Sequence, residues 1–275
     1  MSISDLISHN AIMRRVGLPI LQCFAFDMSV KNPYAPPHRV HLHAFKHKGY
    51  WYHGKNREFA TMQKFSEIIN PGDTVIEAGG HIGYISQYFA YLTGPKGAVY
   101  VFEPGSNNLP YIHKNLEKFS NVTLLEKAVA SEDGTATFYE ETLTGQNNSL
   151  NSDYEYLSSN QENSYVSSEV YTKEVEVVSL DSFCGQSVTP DFIKIDVEGF
   201  ELNVLQGSTE VLKSKPVIML EVTKDMKKVI TLLEEAGYQL FDPDDNKIDV
   251  TADYTGNNIG NVFCYPAGSK LIPHI

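Results

Sequence analysis

The sequence predicts an α/β fold built on a mostly parallel sheet, and three observations carry that prediction. Short apolar runs rich in β-branched residues recur at 74–77, 98–102, 122–125, 192–197 and 216–222. Segments with apolar residues at helical spacing lie between several of them, at 82–92, 106–119 and 202–212. The first run ends in a glycine-rich turn, residues 72–83 reading Gly-Asp-Thr-Val-Ile-Glu-Ala-Gly-Gly-His-Ile-Gly. Strands alternating with helices are the pattern of βαβ units. A tight glycine turn from strand to helix brings a small polar ligand over the free amides of the helix's first turn. Residue types alone therefore point to a nucleotide-type cofactor site.

A chain of 275 residues suits one large domain or a domain with a small lobe. The expected division is an N-terminal extension, 1–57, and a main domain, 58–275. Hydrophobic residues at 42% and charged residues at 20% give an ordinary buried core. The formal charge of −12 speaks against a nucleic-acid partner, because phosphate contacts require clustered Lys and Arg. Cys23, Cys184 and Cys264 show no paired spacing, so free thiols in a reducing compartment are expected rather than disulfides or a zinc knuckle. Arg14-Arg15 and the apolar stretch 18–26 faintly mimic a leader, but Pro19 and Gln22 interrupt it. No apolar run reaches the roughly 18 residues of a membrane span. The expected location is the cytoplasm.

Taken in order, Ser4 is placed to cap a helix carrying Leu6, Ile7, Ile12 and Met13. Residues 32–37, Asn-Pro-Tyr-Ala-Pro-Pro, form a turn or linker. Val40, Leu42 and Phe45, followed by Tyr50, Trp51 and Tyr52 around Lys48-Gly49 and Gly54-Lys55, read as a hairpin or small meander. His38, His41, His43, His47 and His53 crowd this stretch. His41 and His43 would share one strand face, a spacing that suits a metal; a cleft wall that grips a second substrate is the preferred reading. A helix over 56–69 stops at Asn70-Pro71-Gly72. Asp133-Gly134 turns into a strand at 135–139, and 140–168 is a long polar stretch read as an active-site lid, with a plain insertion as the alternative. Further strands are expected at 174–180, 238–241 and 259–265, and a helix at 225–236.

The chemistry resides in acids at strand ends. Glu77, Glu103 and Asp196 each sit at or just past the end of a strand, where open parallel sheets bind their ligands. Glu103 follows Glu77 by 26 residues, a position from which a carboxylate accepts both ribose hydroxyl protons. The turn is not Gly-x-Gly-x-x-Gly, and a carboxylate at Glu77 would repel a pyrophosphate. The same carboxylate favours S-adenosylmethionine, which carries an ammonium and a sulfonium and no phosphate. The alternatives are a dinucleotide-dependent oxidoreductase on the same kind of sheet and a non-catalytic protein that binds S-adenosylmethionine.

Several blocks strengthen the reading: 75–86 (Val-Ile-Glu-Ala-Gly-Gly-His-Ile-Gly-Tyr-Ile-Ser), 101–105 (Val-Phe-Glu-Pro-Gly), 178–183 (Val-Ser-Leu-Asp-Ser-Phe) and 191–201 (Asp-Phe-Ile-Lys-Ile-Asp-Val-Glu-Gly-Phe-Glu). With 205–210 and 216–222 they resemble the successive blocks of the FkbM-type methyltransferases over roughly residues 70 to 225. The resemblance implies a Rossmann-like class I methyltransferase fold: a mostly parallel seven-stranded sheet with an antiparallel last strand and helices on both faces, here with the small N-terminal extension added. It also implies S-adenosylmethionine as donor and O-methylation of a hydroxyl on a sugar, glycan or natural product. The family's first block usually reads Asp-x-Gly-Ala-Asn-x-Gly; Glu77, Gly80 and His81 depart from it here.

Roles follow as expectations from that resemblance. Backbone at Gly79, Gly80, His81 and Gly83 holds the methionine part, with Glu77 opposing its ammonium. Glu103 takes the ribose; Asn107 or its neighbours and Val129 flank the adenine. Asp196 lies near the reactive methyl and is the expected base or acceptor-orienting group, with His81 and Glu198 as rivals. A divalent ion shared by Asp196 and Glu221 is an alternative that is not favoured. The expected partner is a small-molecule or carbohydrate hydroxyl, and the N-terminal extension can serve as a subunit contact in a homo-oligomer.

Overall fold

The computed structural model of the chain describes residues 25–152, 169–222, 224–248 and 260–273. The helix expected after Ser4, Cys23, most of the leader-like run and residues 153–168 of the polar stretch lie outside the described residues.

The strands in chain order are β1 (Asp27–Lys31), β2 (Arg39–His43), β3 (Thr74–Ala78), β4 (Ala98–Phe102), β5 (Val122–Leu125), β6 (Ala128–Val129), β7 (Gly134–Glu141), β8 (Val170–Val178), β9 (Phe192–Ile195), β10 (Val217–Val222), β11 (Tyr238–Phe241) and β12 (Gly260–Pro266). The helices are α1 (Lys48–Tyr52), α2 (Phe59–Ile68), α3 (Tyr84–Thr93), α4 (Leu109–Leu116), α5 (Leu180–Cys184), α6 (Glu201–Gln206) and α7 (Met226–Glu235). No helix among the described residues is long and apolar enough to cross a membrane.

Seven strands form the central sheet in the order β11-β12-β10-β9-β3-β4-β5, with β12 antiparallel to both neighbours and the other pairs parallel. The chain runs outward from β3 through β4 to β5, then returns to β9 on the opposite side of β3. That reversal opens a crevice beyond the strand ends, the place where such sheets bind ligands. The inner strands are apolar on both faces because helices cover both. One buried cluster joins Phe65, Phe89, Val99, Val101, Phe192 and Phe263; the other joins Ile76, Phe102, Ile193, Leu205, Leu220 and Leu233. A separate three-stranded sheet, β6-β8-β7, gathers the strands expected near 135–139 and 174–180.

The N-terminal segment differs from its sequence reading. There is a hairpin, but β2 pairs with the upstream β1, in the register Asp27↔His43 to Lys31↔Arg39. The run Tyr50-Trp51-Tyr52, read as strand from its aromatics, is the short helix α1. Packing decides this over propensity: the helical turn buries Tyr50 against Tyr84, ring centroids 4.8 Å apart, while the Trp51 indole stays at the rim and donates to the Ala44 carbonyl at 2.8 Å. Val40, Leu42 and Tyr50 join the same cluster as Phe65 and Phe89, so the segment shares the main domain's core.

A buried polar junction fixes the hairpin on α3 and α4. The Asn115 amide accepts from the His41 backbone N–H at 2.6 Å and donates to the carbonyls of His41 (2.9 Å) and Ile82 (2.7 Å). Gln87 donates to the Arg39 and Asn115 carbonyls, and Asn32 donates to the Gln87 side chain. Replacing Asn115 by Ala leaves the His41 N–H and the Ile82 carbonyl without partners in a dry contact, a loss of roughly 1–3 kcal/mol. Asn115→Ala is expected to speed hydrogen exchange in β1 and β2 far more than in β9 and β10; uniform exchange across all four strands would count against this account.

Candidate active site

The crevice beyond β3, β4, β9 and β10 encloses about 370 Å³. Glu77 and Glu221 come from the ends of β3 and β10, while Glu103 and Asp196 directly follow β4 and β9. The sheet order therefore sets four acids side by side, and all four line the cleft.

Lys194, the single cation of the apolar strand β9, reaches up among them. Its ammonium donates to Asp196 Oδ2 at 3.0 Å and to the Gly79 carbonyl at 3.2 Å, and lies 3.7 Å from Glu77 Oε1. Lys194 and Glu77 are 2% and 1% exposed, whereas Asp196 is 27% exposed. Burial alone would pull the Lys194 ammonium down, yet Asp196 and Glu77 hold its pKa above the ordinary lysine range. Burial pushes the Glu77 carboxyl up, relieved only in part by Lys194 and by the Ser86 hydroxyl, which donates to it at 2.5 Å. The distances make Lys194–Asp196 the tighter pair.

The glycine turn has its own constraint. Gly79 has φ 89°, and a Cβ there would run into the Asp196 carbonyl oxygen, so this position admits only glycine. Gly83 has φ 81° and caps α3 without lining the cleft, whereas Gly79 and Gly80 line it.

Glu103 is held under the turn. It accepts from the backbone N–H groups of His81 (2.7 Å) and Gly105 (2.8 Å) and from the Asn108 amide (3.2 Å). Burial nevertheless raises its pKa to about 7. Asn108, together with Ala128 and Val129 of β6, lines the cleft beside it. Asn107 does not line the cleft: its amide donates to the Glu141 carbonyl at 2.8 Å and accepts from Asn148 at 2.8 Å, tying down the segment after β7. That segment, the described start of the expected lid, folds back over the crevice. The Glu141 carboxylate gathers the N–H groups of Leu143 (2.6 Å), Thr144 (2.9 Å) and Gly145 (2.5 Å), and residues 145–148 become part of the cleft wall.

His81 is clamped at both nitrogens. Its Nε2 faces the Thr144 carbonyl at 3.3 Å; a carbonyl only accepts, so the ring proton is on Nε2. Nδ1 then accepts from the Tyr50 hydroxyl at 2.8 Å. Burial lowers the His81 pKa to about 4, which keeps the ring neutral at physiological pH. Of the other histidines, His43 Nδ1 accepts from the N–H groups of Phe45 and Lys46 and closes that turn. Among the described residues no group of side chains is arranged to hold a metal ion.

Glu198 follows Asp196 in a tight turn, with φ 54° at Glu198 and 89° at Gly199. Burial, then Asp196, Glu221 and Glu201, push its pKa well above the carboxylate range. Burial and Asp196 likewise raise Glu221 to about 7. The N-terminal segment adds Tyr50 and Arg57 to the lining, and Glu58 follows directly. Asn108, the neighbour of Asn107, is the one of the pair that lines the cleft, whereas Lys194, Arg57 and Tyr50 are not among the residues expected in the cleft from the sequence. Only Lys194 left a signal there, as a cation inside an apolar strand.

Lys194→Met removes the only ammonium from between two buried or half-buried acids, and breaking a buried ion pair from one side costs about 3–5 kcal/mol. The expected result is a melting temperature lower by roughly 6–20 °C. An unchanged melting curve at pH 7 would show that Lys194 does not carry this charge balance.

The chain matches the Methyltransferase FkbM domain over residues 77–240, more than half its length. It is 26% identical over 190 residues to Methyltransferase 1 of Beauveria bassiana, covering 61% of this chain and 73% of that protein. It is also 26% identical over 175 residues to the hexuronic acid methyltransferase AglP of Haloferax volcanii, covering 62% of this chain and 65% of that one. Similar solved structures include a SAM-dependent O-methyltransferase from Thermotoga maritima, at TM-score 0.44 and 12% identity over 76% of this chain and 64% of that chain. Aeropyrum pernix fibrillarin with bound S-adenosyl-L-methionine has TM-score 0.42 and 11% identity over 86% and 88% of the two chains. On its sequence match over 77–240, this protein belongs to the FkbM methyltransferase family.

Proposed function

We propose that this protein is an S-adenosylmethionine-dependent O-methyltransferase acting on a hydroxyl of a sugar-type acceptor or natural product. The observation that carries the reading is the convergence of Glu77, Glu103 and Asp196 in one cleft beyond the parallel strands. Such a wall suits a cationic donor and opposes the phosphates of a dinucleotide. The donor set fits: a carboxylate at the strand end, glycine backbone approaching closely, and a second acid whose raised pKa suits hydrogen bonding to hydroxyls. Glu77 and the 79–83 backbone would hold the methionine part, Glu103 the ribose, and Asn108 and Val129 the adenine, with Asn108 in the role first expected near Asn107. When bound, the donor supplies an electrophilic methyl group on sulfur. The sugar class is supported by the printed name of the archaeal relative, a hexuronic acid methyltransferase. The buried free thiols Cys184 and Cys264 suit a reducing, cytoplasmic setting.

Of the three candidate bases, Asp196 is the one in a position to act. His81 has both nitrogens committed to Tyr50 and Thr144, and Glu198 is pushed toward its protonated form, a hydrogen-bond donor. Asp196 is reachable from the cleft and kept near Lys194, so it can orient an acceptor hydroxyl and take its proton. A positioned base contributes about 10²- to 10⁴-fold in rate. Asp196→Asn is expected to lower kcat by that order while donor affinity, read by calorimetry, changes little. His81→Asn, which restores the amide usual in the family, is expected to keep kcat within about tenfold. The reverse ranking of the two variants would move the base to His81.

The raised carboxyls make a second prediction. Glu103 and Glu221 have pKa values near 7 in the folded protein against 4.5 ordinarily, so the native state holds extra protons between those values. Their contribution to stability is present below about pH 4.5 and lost as pH rises through 7. A cationic donor favours the ionised carboxyls and should expel those protons. Calorimetry at pH 6.5 is therefore expected to show proton release on S-adenosylmethionine binding, affinity rising toward pH 8, and no binding of NAD. Tight NAD binding would overturn the donor assignment.

A further inference from the structure

The donor reading leaves one strong group in the cleft without a task. Arg57 comes from the N-terminal segment, outside the 77–240 family match, and lines the cleft beside Glu58, near the β9 and β10 ends. Its side chain is 25% exposed and lies over the Tyr50 ring, 4.5 Å from the centroid. Its Nε pairs with Glu58 at 3.2 Å. Position 49 is a glycine, and a Cβ there would come within 2.7 Å of Arg57 Nη1, so the backbone leaves room for the guanidinium. Among the described residues, its two terminal amino groups make no side-chain hydrogen bond, and its ion pair is through Nε.

A guanidinium stacked on a tyrosine ring and ion-paired at Nε, on a residue that lines the cleft, suits the gripping of a planar anion. We propose that Arg57 reads a carboxylate carried by the methyl acceptor, which makes a uronic-acid-type sugar the preferred acceptor. The inference rests on the sugar-hydroxyl reading above and names the acceptor class within it. The surrounding charges select among anions. Glu58 already faces Arg57, Asp196 is engaged by Lys194, and Glu198 and Glu221 form the adjoining wall. Against that wall a singly charged carboxylate is tolerated where a doubly charged phosphate is repelled. The Lys194 ammonium is taken up by Asp196, Glu77 and the Gly79 carbonyl, so among the described residues lining the cleft Arg57 is the cation left for the acceptor.

The test is a binding titration that does not depend on turnover. Protein saturated with S-adenosylhomocysteine is titrated with methyl β-D-glucuronide, methyl β-D-glucoside and glucose 6-phosphate, for the wild type, Arg57→Gln and Arg57→Lys. The wild type is expected to bind the glucuronide about tenfold more tightly than the glucoside, the scale of a charge-assisted pair, and to bind the phosphate no better than the glucoside. Arg57→Gln should erase the preference with S-adenosylhomocysteine affinity within about twofold, and Arg57→Lys, which keeps charge and stem, should retain part of it. Equal binding of glucuronide and glucoside by the wild type overturns the proposal. So does a phosphate preference, or an Arg57→Gln protein that loses S-adenosylhomocysteine while keeping the glucuronide preference. Methyl transfer to the same sugars separates the two claims. Turnover with no glucuronide preference removes the role of Arg57 and leaves the activity, whereas a glucuronide preference in binding with no methyl transfer upholds Arg57 and removes the activity.

Discussion

One buried ammonium holds the site together. Lys194 stands where the ends of β3 and β9 meet, and it satisfies a carbonyl of the glycine turn and two acids at once. Without it, Glu77 and Asp196 would be left as like charges with no cation between them, and the buried Glu77 would lose the partner that partly offsets the cost of its burial. The same strand pair explains the close backbone approach at Gly79, whose missing Cβ makes room for the Asp196 carbonyl. Charge balance and steric fit are thus two aspects of one contact between neighbouring strands.

Around that contact the protein adds walls from distant parts of the chain. The N-terminal hairpin and α1 dock through Asn115, Gln87 and Asn32, which lets Tyr50 reach His81 and Arg57 reach the cleft. The segment after β7 closes the other side, folded by Glu141 and fastened to α4 by Asn107 and Asn108. His81 touches both walls, through Tyr50 and Thr144, while its own N–H holds Glu103. The bulky ring in place of the amide usual in the family therefore acts as a brace between two added walls, and its neutrality follows from burial.

The site carries far more carboxylates than a phosphate-binding crevice tolerates. Burial raises Glu103 and Glu221 to about 7, so the ionisation of both responds to any charge brought into the cleft. The cleft is thus divided in charge: Glu77 and Glu103 at β3 and β4, and Arg57 with Asp196 and Glu221 at the ends of β9 and β10.

Much of this was legible in the chain itself. β-Branched runs, the turn at Gly79 and Gly80, and acids at Glu77, Glu103 and Asp196 determined a parallel sheet with an acid-lined crevice, because those patterns are local: period, turn chemistry and position at a strand end. The seven-stranded, mostly parallel sheet with its antiparallel last strand also followed, through the resemblance of the blocks around 75–86 and 191–201, whereas the strand order came from the structure. What only the tertiary structure decided lies in contacts between residues distant in sequence. Tyr50-Trp51-Tyr52 became helix because a buried tyrosine was needed against Tyr84 and His81, 31 residues away for His81. Asn107 and Asn108 are adjacent and identical in type, yet the fold sends one to the loop and the other to the cleft. Lys194 was visible as a cation in an apolar strand, but its partners are chosen by the sheet. Arg57 had no local mark at all. Its meaning comes from Gly49, Tyr50 and Glu58 being packed against a crevice that the other end of the chain builds.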